Sequence, residues 1–469
     1  AMPISDNIGG FIRPGFNPLL VPNAPTIGTA SSGGGLDISI AFTAPSDVGG
    51  GAITSYEAIA TDTVSGVVFI ASGSSTPISI TGLTDGQSYT TTVTAINAYG
   101  PSGMSAASNS VTAENVAGEF WNWGYNPQGE LGQGNTTTYN SPVQVGALTT
   151  WLKLTGGYEC SIAIKTDGTL WGTGKNTLGI LGQGNTTSYS SPVQVGALTT
   201  WLEVAAGYQH FAGVKTDGTL WACGAGVQGQ LAQGNNSSYS SPVQVGALTD
   251  WSKVSTGFQH TMAIKTDGTL WAFGYNNGGQ LGQGNTTSYS SPVQVGSLTD
   301  WQMVSCQVVG VAAIKTDGTL WAWGNGDDGG LGHNNTTSYS SPVQVGSLTT
   351  WAKVSGGLSS MVMLKTDGTL WTVGLGGYGE IGNGALLSKS SPVQVGALTT
   401  WADMSRARYM VFARTTNKTL FAWGRDFYGG LGLGGGGDRN SPVQVGALTT
   451  WNASAGDMSN SMTGRAIKS

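Results

Sequence analysis

Residues 251–300 read WSKVSTGFQHTMAIKTDGTLWAFGYNNGGQLGQGNTTSYSSPVQVGSLTD, and nearly the same fifty residues precede and follow them. A tryptophan returns at Trp151, Trp201, Trp251, Trp301, Trp351, Trp401 and Trp451. A second series runs at Trp121, Trp171, Trp221, Trp271, Trp321 and Trp371 and ends on Phe421. Self-similarity at this period marks a propeller, a solenoid or an array of supersecondary units. Within the quoted unit, alternation and turn signals predict strands over 251–255, 260–266, 269–274 and 292–295. Asp267-Gly268 between two such runs is a strong hairpin signal.

Counting the parts predicts closure. The segment before KTDGT occurs six times, including a divergent copy at 412–414. Residues 462–468 supply a seventh but lack the hairpin strand that should follow. The orphan counterpart is GEFWNWG at 118–124, which begins mid-repeat. Joined, the two pieces complete one blade. Residues 118–469 are therefore expected to form a seven-bladed β-propeller, closed by pairing 118–124 with 462–468, which removes free sheet edges.

The GYQH and GFQH segments at 207–210 and 257–260, the KTDGTLWAxG hairpins and GQLG at 279–282 resemble the regulator of chromosome condensation repeat family. The resemblance covers 118–469 and implies a seven-bladed propeller rather than an activity. The guanine nucleotide exchange known in that family is not expected. It relies on features inserted in the propeller, and the unbroken fifty-residue spacing leaves no room for a wedge. Nor is light sensing expected, although the plant ultraviolet-B photoreceptor resembles this fold. The loop positions equivalent to Tyr158, Tyr208 and Phe258 hold Leu358 and Tyr409 rather than tryptophan.

Residues 23–116 alternate apolar and polar positions in short stretches between turn clusters, as in an all-β sandwich of about seven strands. Pro25, Gly82-Leu83 before Tyr89, and 93–98 followed by Gly100-Pro101-Ser102 resemble a fibronectin type III domain. Tyr89 takes the place of its corner tyrosine, and Phe42 stands where that family usually has a core tryptophan. Residues 1–22 read as an anchoring arm carrying Phe11, Ile12, Phe16, Leu19 and Leu20. A tail packed on the next domain is the other reading.

Composition narrows the function classes. Only 9% of residues are charged, and the net charge of −6 falls within residues 1–118. The balanced remainder offers no basic footprint for nucleic acid. No apolar run is long enough for membrane insertion, and no secretory signal is expected. Cys160, Cys223 and Cys306 show neither disulfide nor zinc spacing. His210 and His260 are expected to make turn hydrogen bonds, and His333 to be exposed. The Asp of each KTDGT and the Asn of each NTT read as turn residues rather than calcium ligands or glycosylation sites. No catalytic, metal or cofactor site is expected, so the chain reads as a non-enzyme.

Two windows differ between otherwise constant repeats. One follows the third strand (125–130 and its copies, ending at 425–430); the other follows the inner tryptophan strand (156–162 through 406–412). Constant scaffold with variable loops builds a binding surface; drift at exposed turns would look the same. Six of the seven arginines fall in the last two blades. Arg406, Arg408, Tyr409, Arg425, Phe427 and Tyr428 make a candidate interface of the Arg/aromatic kind. Divergence for packing at the closure is the alternative.

The opening PISDNIGGFIRPGFNPL and the GGGAITSYEAIATD stretch resemble structural proteins of tailed phages. That resemblance implies a virion protein (tail, fibre or capsid decoration), assembled in the host cytoplasm as part of a multimer. It would be held to other virion proteins by the arm and sandwich, and would display the propeller to a host-surface glycan or protein. A bacterial adhesin and an intracellular regulatory propeller are the alternatives.

Overall fold

The computed structural model describes residues 20–32, 37–80, 83–84, 87–113, 117–454 and 462–468. Phe11, Ile12, Phe16 and Leu19 of the expected arm lie outside them. Leu20 is exposed, and its carbonyl accepts hydrogen bonds from the Gly50 amide (2.9 Å) and Asn97 Nδ2 (2.8 Å). The chain divides into two compact units between Glu114 and Asn115. Both are all-β, and no α-helix occurs among the described residues.

In the first unit, strands Thr26–Ser32, Ile38–Thr43 and Ile78–Ile80 form one antiparallel sheet. Val68–Gly73, Ile53–Asp62, Ser88–Asn97 and Gly100–Pro101 form another, with Val111–Thr112 also paired to Ser88–Asn97. Alternate side chains of both sheets enter one core, Ile38, Ile40 and Phe42 from the first and Tyr56, Ala58, Tyr89 and Val93 from the second. This is the period-two pattern of strands with one buried face. The Tyr89 hydroxyl accepts the Thr84 amide at 3.0 Å, and burial pushes its pKa up. Phe42 packs on Tyr56 with ring centroids 4.7 Å apart.

Among the described residues the second unit holds seven four-stranded antiparallel sheets. In the quoted repeat the strands are Trp251–Thr256, His260–Lys265, Leu270–Gly274 and Tyr289–Gln294. The outer strand begins earlier than its apolar residues suggest, because Tyr289 pairs with Gly274 across a bulge. One sheet is assembled from distant segments. Glu119–Gly124 pairs with Tyr139–Gln144 on one side and with Thr463–Lys468 on the other, and Trp451–Ser454 completes it. Successive sheets pack through their first strands, Trp401–Arg406 touches Trp451–Ser454, and Thr463–Lys468 touches Trp151–Gly156.

The two tryptophan series do different jobs. The inner series is buried, each member 1–3% exposed, between its own sheet and the one before. The other series is half-buried; Trp271 Nε1 donates to Thr269 Oγ1 at 2.9 Å, while the Thr269 amide donates to Asp267 Oδ1 at 2.9 Å. That turn needs Gly268 at φ +77°, where a side chain would also strike the Thr299 carbonyl. Between the two rings lies a lysine: Lys265 Nζ sits 5.1 Å from Trp251 and 4.5 Å from Trp271, and Lys165, Lys215, Lys315 and Lys365 repeat the clamp. Cation–π attraction strengthens as the site dries. Burial pulls the Lys165 and Lys215 pKa values down.

Candidate binding face

Four antiparallel strands per sheet place the first–second and third–fourth connections at one end. The second–third turn and the crossing to the next sheet lie at the other. The two windows that vary between repeats therefore share an end, and backbone hydrogen bonds join them. The Lys175 amide donates to Glu159 O (2.7 Å), Tyr275 to Gln259 O (2.8 Å), Leu375 to Ser359 O (3.0 Å) and Arg425 to Tyr409 O (3.0 Å). The opposite end carries the constant KTDGT turns and GALTT crossings, with Leu148, Leu198, Leu248, Leu298, Leu348, Leu398 and Leu448 all exposed.

On the variable end, the loop after each inner strand contributes Tyr158, Tyr208, Phe258, Val308, Leu358 and Arg408 in turn. The equivalent of Leu358 is Arg408 and not Tyr409, because Met410 pairs with Gly424 as Ser360 pairs with Gly374. Tyr158 and Tyr208 lie 4.8 Å apart, and Tyr208 and Phe258 4.3 Å apart. The Leu358 amide donates to Arg408 O at 3.2 Å.

The arginine and aromatic residues singled out in the sequence separate into two groups. Arg425 lies over Tyr378 (4.2 Å), Phe427 (4.4 Å) and Tyr409 (5.4 Å), and Arg408 over Tyr409 (5.5 Å). Tyr428 stacks on Tyr125 at 4.4 Å and meets Phe427 edge-on. Arg408, Tyr409, Met410, Arg425, Phe427 and Met462 enclose a pocket of about 200 Å³. Phe427 and Tyr428 are exposed, and Arg408, Tyr409 and Arg425 are half-buried.

Arg406 does not join this surface. It is 1% exposed and lies against Gly357 of the preceding sheet, with Nη1 3.5 Å from the Glu380 carbonyl. Burial pulls its pKa down to about 10 against the opposing pull of Glu380. Arg414 and Arg465 are buried as well. Arg465 donates through Nε to Ser161 Oγ (2.8 Å) and through Nη2 to Cys160 O (2.9 Å), which ties the assembled sheet to the first repeat. Part of the arginine enrichment is thus packing between sheets.

Each histidine departs from expectation. His210 is buried and reaches the next sheet through Nε2 to Thr261 Oγ1 at 3.1 Å; burial pushes its pKa down to about 3. His260 is buried too, with its pKa pushed down to about 4. His333 is half-buried and bonds the Ala322 carbonyl through Nε2 at 3.1 Å. The His210 and His260 rings are neutral packing groups near pH 7, held in slots opened by Gly207 and Gly257. The cysteines are free and fully buried, and burial raises the Cys160 thiol to about 12. The Asn of each NTT caps its turn, Asn285 Oδ1 accepting the Thr287 amide at 2.8 Å.

Two buried carboxyls escaped the sequence reading. Glu130 and Glu380 take the place of Gln230 and Gln280, and each side chain folds back onto an amide two residues earlier (Gln128 at 2.9 Å, Tyr378 at 2.8 Å). Burial raises Glu130 to about 7 and raises Glu380. Tyr125, Tyr378, Met410 and Met462 were also missed, although the first three belong to the variable windows.

Comparison with known proteins identifies the repeats. The model described as regulator of chromosome condensation (RCC1) repeat matches residues 117–164, 167–214, 217–264, 267–307 and 317–364. A second model of the same description matches 201–230 and 251–280. Human WBSCR16 superposes with a TM-score of 0.66 at 19% identity, over 75% of this chain and 99% of its own. Prp20p of Saccharomyces cerevisiae, reported with its binding to Gsp1p and histones, gives 0.67 at 16% identity, over 75% and 92%. Yeast RCC1 (Prp20) bound to Kap60 gives 0.66 at 16% identity, over 75% and 89%. No curated protein matched the sequence. The matched repeats span just over half of the residues, and the chain belongs to the RCC1-repeat family.

Proposed function

We propose that residues 118–469 form a closed seven-bladed propeller that works as a non-enzymatic protein-interaction module, binding through its variable end. One observation carries the reading: in the six sheets whose two variable windows are both described, the windows meet at the same end, while the other end stays nearly constant. Pairing of Glu119–Gly124 with Thr463–Lys468 supports closure. Prp20p is reported with its binding to Gsp1p and histones, and yeast RCC1 (Prp20) bound to Kap60, which supports a protein as the partner class. The test replaces residues 408–409 and 425–428 with their counterparts 258–259 and 275–278. Partner capture by the full chain, followed by crosslinking, should lose its specific partner on this exchange while the constant-end substitution Leu298→Ser leaves it. Equal capture by all three proteins defeats the proposal.

The setting we propose is a tailed-phage particle, with residues 1–22 and a fibronectin-like 23–116 sandwich as the attachment to other virion proteins. The PISDNIGGFIRPGFNPL and GGGAITSYEAIATD stretches support it. Mass spectrometry of purified particles decides it; absence of the chain from them removes this setting without touching the binding face.

A further inference from the structure

We infer that the pocket between Arg408 and Arg425 receives a carboxylate carried beside a small apolar group, supplied by a protein partner as an acidic side chain or a chain terminus. The inference rests on the reading that this end binds protein.

The pocket suits a single small group. Sites for drug-sized molecules run to roughly 300–1,000 Å³. About 200 Å³ holds one residue's worth of atoms. Its lining is two guanidinium groups against the rings of Tyr409 and Phe427 and the thioethers of Met410 and Met462. Methionine walls adapt to irregular apolar shapes.

Its charge is one-sided. Among the described residues no acidic side chain lines it, and neither Arg408 nor Arg425 has an ion-pair partner. Carboxylates of the same two repeats accept backbone amides: Asp426 from Leu431 (3.2 Å), Asp438 from Asp426 (2.9 Å) and Glu380 from Tyr378 (2.8 Å). The Tyr378 and Phe427 rings lie 4.2 and 4.4 Å from the central carbon of the Arg425 guanidinium. Its donors lie in the plane and remain for a ligand. Arg408 Nε is buried with no acceptor among the described residues. A buried donor without an acceptor is destabilising until one arrives. Guanidinium groups recognise carboxylates and phosphates alike. The apolar walls favour the single charge, because each further charge adds a desolvation cost.

The experiment uses the full chain labelled with ¹³C at methionine methyls, titrated with three probes: Ac-LEL-NH2, Ac-LQL-NH2 and Ac-LL-OH. A saturable shift of the Met410 and Met462 methyls is expected with Ac-LEL-NH2 if a side chain is the source, and with Ac-LL-OH if a terminus is. Ac-LQL-NH2 should bind at least tenfold more weakly. Arg408→Ser with Arg425→Ser should abolish the response while the other methionine signals hold their positions, which reports an intact fold. Equal response to Ac-LQL-NH2, response that survives the double exchange, or stronger competition by inorganic phosphate than by acetate each overturns the inference. Failure here alongside a positive partner-capture test leaves the binding face standing; failure of both removes the face.

Discussion

The two ends of the repeat unit are built from the same strands and differ in what the chain lets vary. At the constant end, Asp, Gly and Thr of KTDGT and the clamped lysine recur with the same partners from sheet to sheet. At the variable end, the same backbone positions carry Tyr158, Val308 or Arg408, while the backbone hydrogen bonds between the loops and the Asn and Ser caps beneath them recur. At one end the turn demands the identity of nearly every side chain; at the other the recurring bonds leave the positions of Tyr158, Val308 and Arg408 free for recognition.

Substitutions can break or sharpen that contrast. The largest effect should come from the shared inner ring. Trp301→Ala removes a fully buried indole and should cost about 3–5 kcal/mol in urea unfolding. Next, Arg406→Ser should cost about 3 kcal/mol, because it leaves a cavity where a large buried side chain packs against Gly357. Arg425→Ser, two strands away on the same end, should stay within about 0.5 kcal/mol. Equal costs would mean that the aromatic patch is structural.

A smaller effect depends on pH. The Glu130 carboxyl is raised to about 7 in the folded chain, above its usual 4.5, so the fold binds the proton more tightly than the unfolded chain. Stability linked to it is complete below about pH 4.5 and lost as pH rises through 7. Glu130→Gln, the residue found at Gln230 and Gln280, should raise the melting temperature at pH 8 and leave it unchanged near pH 4. The smallest effect belongs to the constant end. Lys418 holds φ +62° where the other repeats have glycine. Lys418→Gly should stabilise by up to about 1 kcal/mol in thermal unfolding; destabilisation would show that its 3.3 Å bond to Asn452 outweighs the strain.

The repeat architecture was legible because period and turn chemistry agree at every level: Asp267-Gly268 turns as its dipeptide says, and the fifty-residue spacing places Trp251 and Trp301 alike. The variable windows were legible as text, but not their meeting, which follows from strand direction. Arginine composition misled at Arg406, since charge reads as surface until register is considered. Its counterparts are Gly156, Ala206, Thr256, Cys306 and Gly356, small residues packed against a neighbouring sheet, and that slot was the available signal. Glu130 and Glu380 were missed for a related reason: a carboxyl can replace an amide whose role is to accept one backbone N–H, and no spacing rule distinguishes the two.

The pairing of Glu119–Gly124 with Thr463–Lys468 has a kinetic side. Lys468 Nζ meets Glu119 across 349 residues of sequence. Each other sheet can form from one emerging stretch of chain, whereas this one must wait until every repeat between has been synthesised. Loop-closure entropy makes such a contact late but, because it grows only with the logarithm of length, not forbidding. A circular permutant that begins at residue 451 and joins 468 to 117 through a short linker makes that sheet local. It should refold faster than the parent chain while unfolding at nearly the same rate, so the order of the repeats governs how the molecule is made more than how long it lasts.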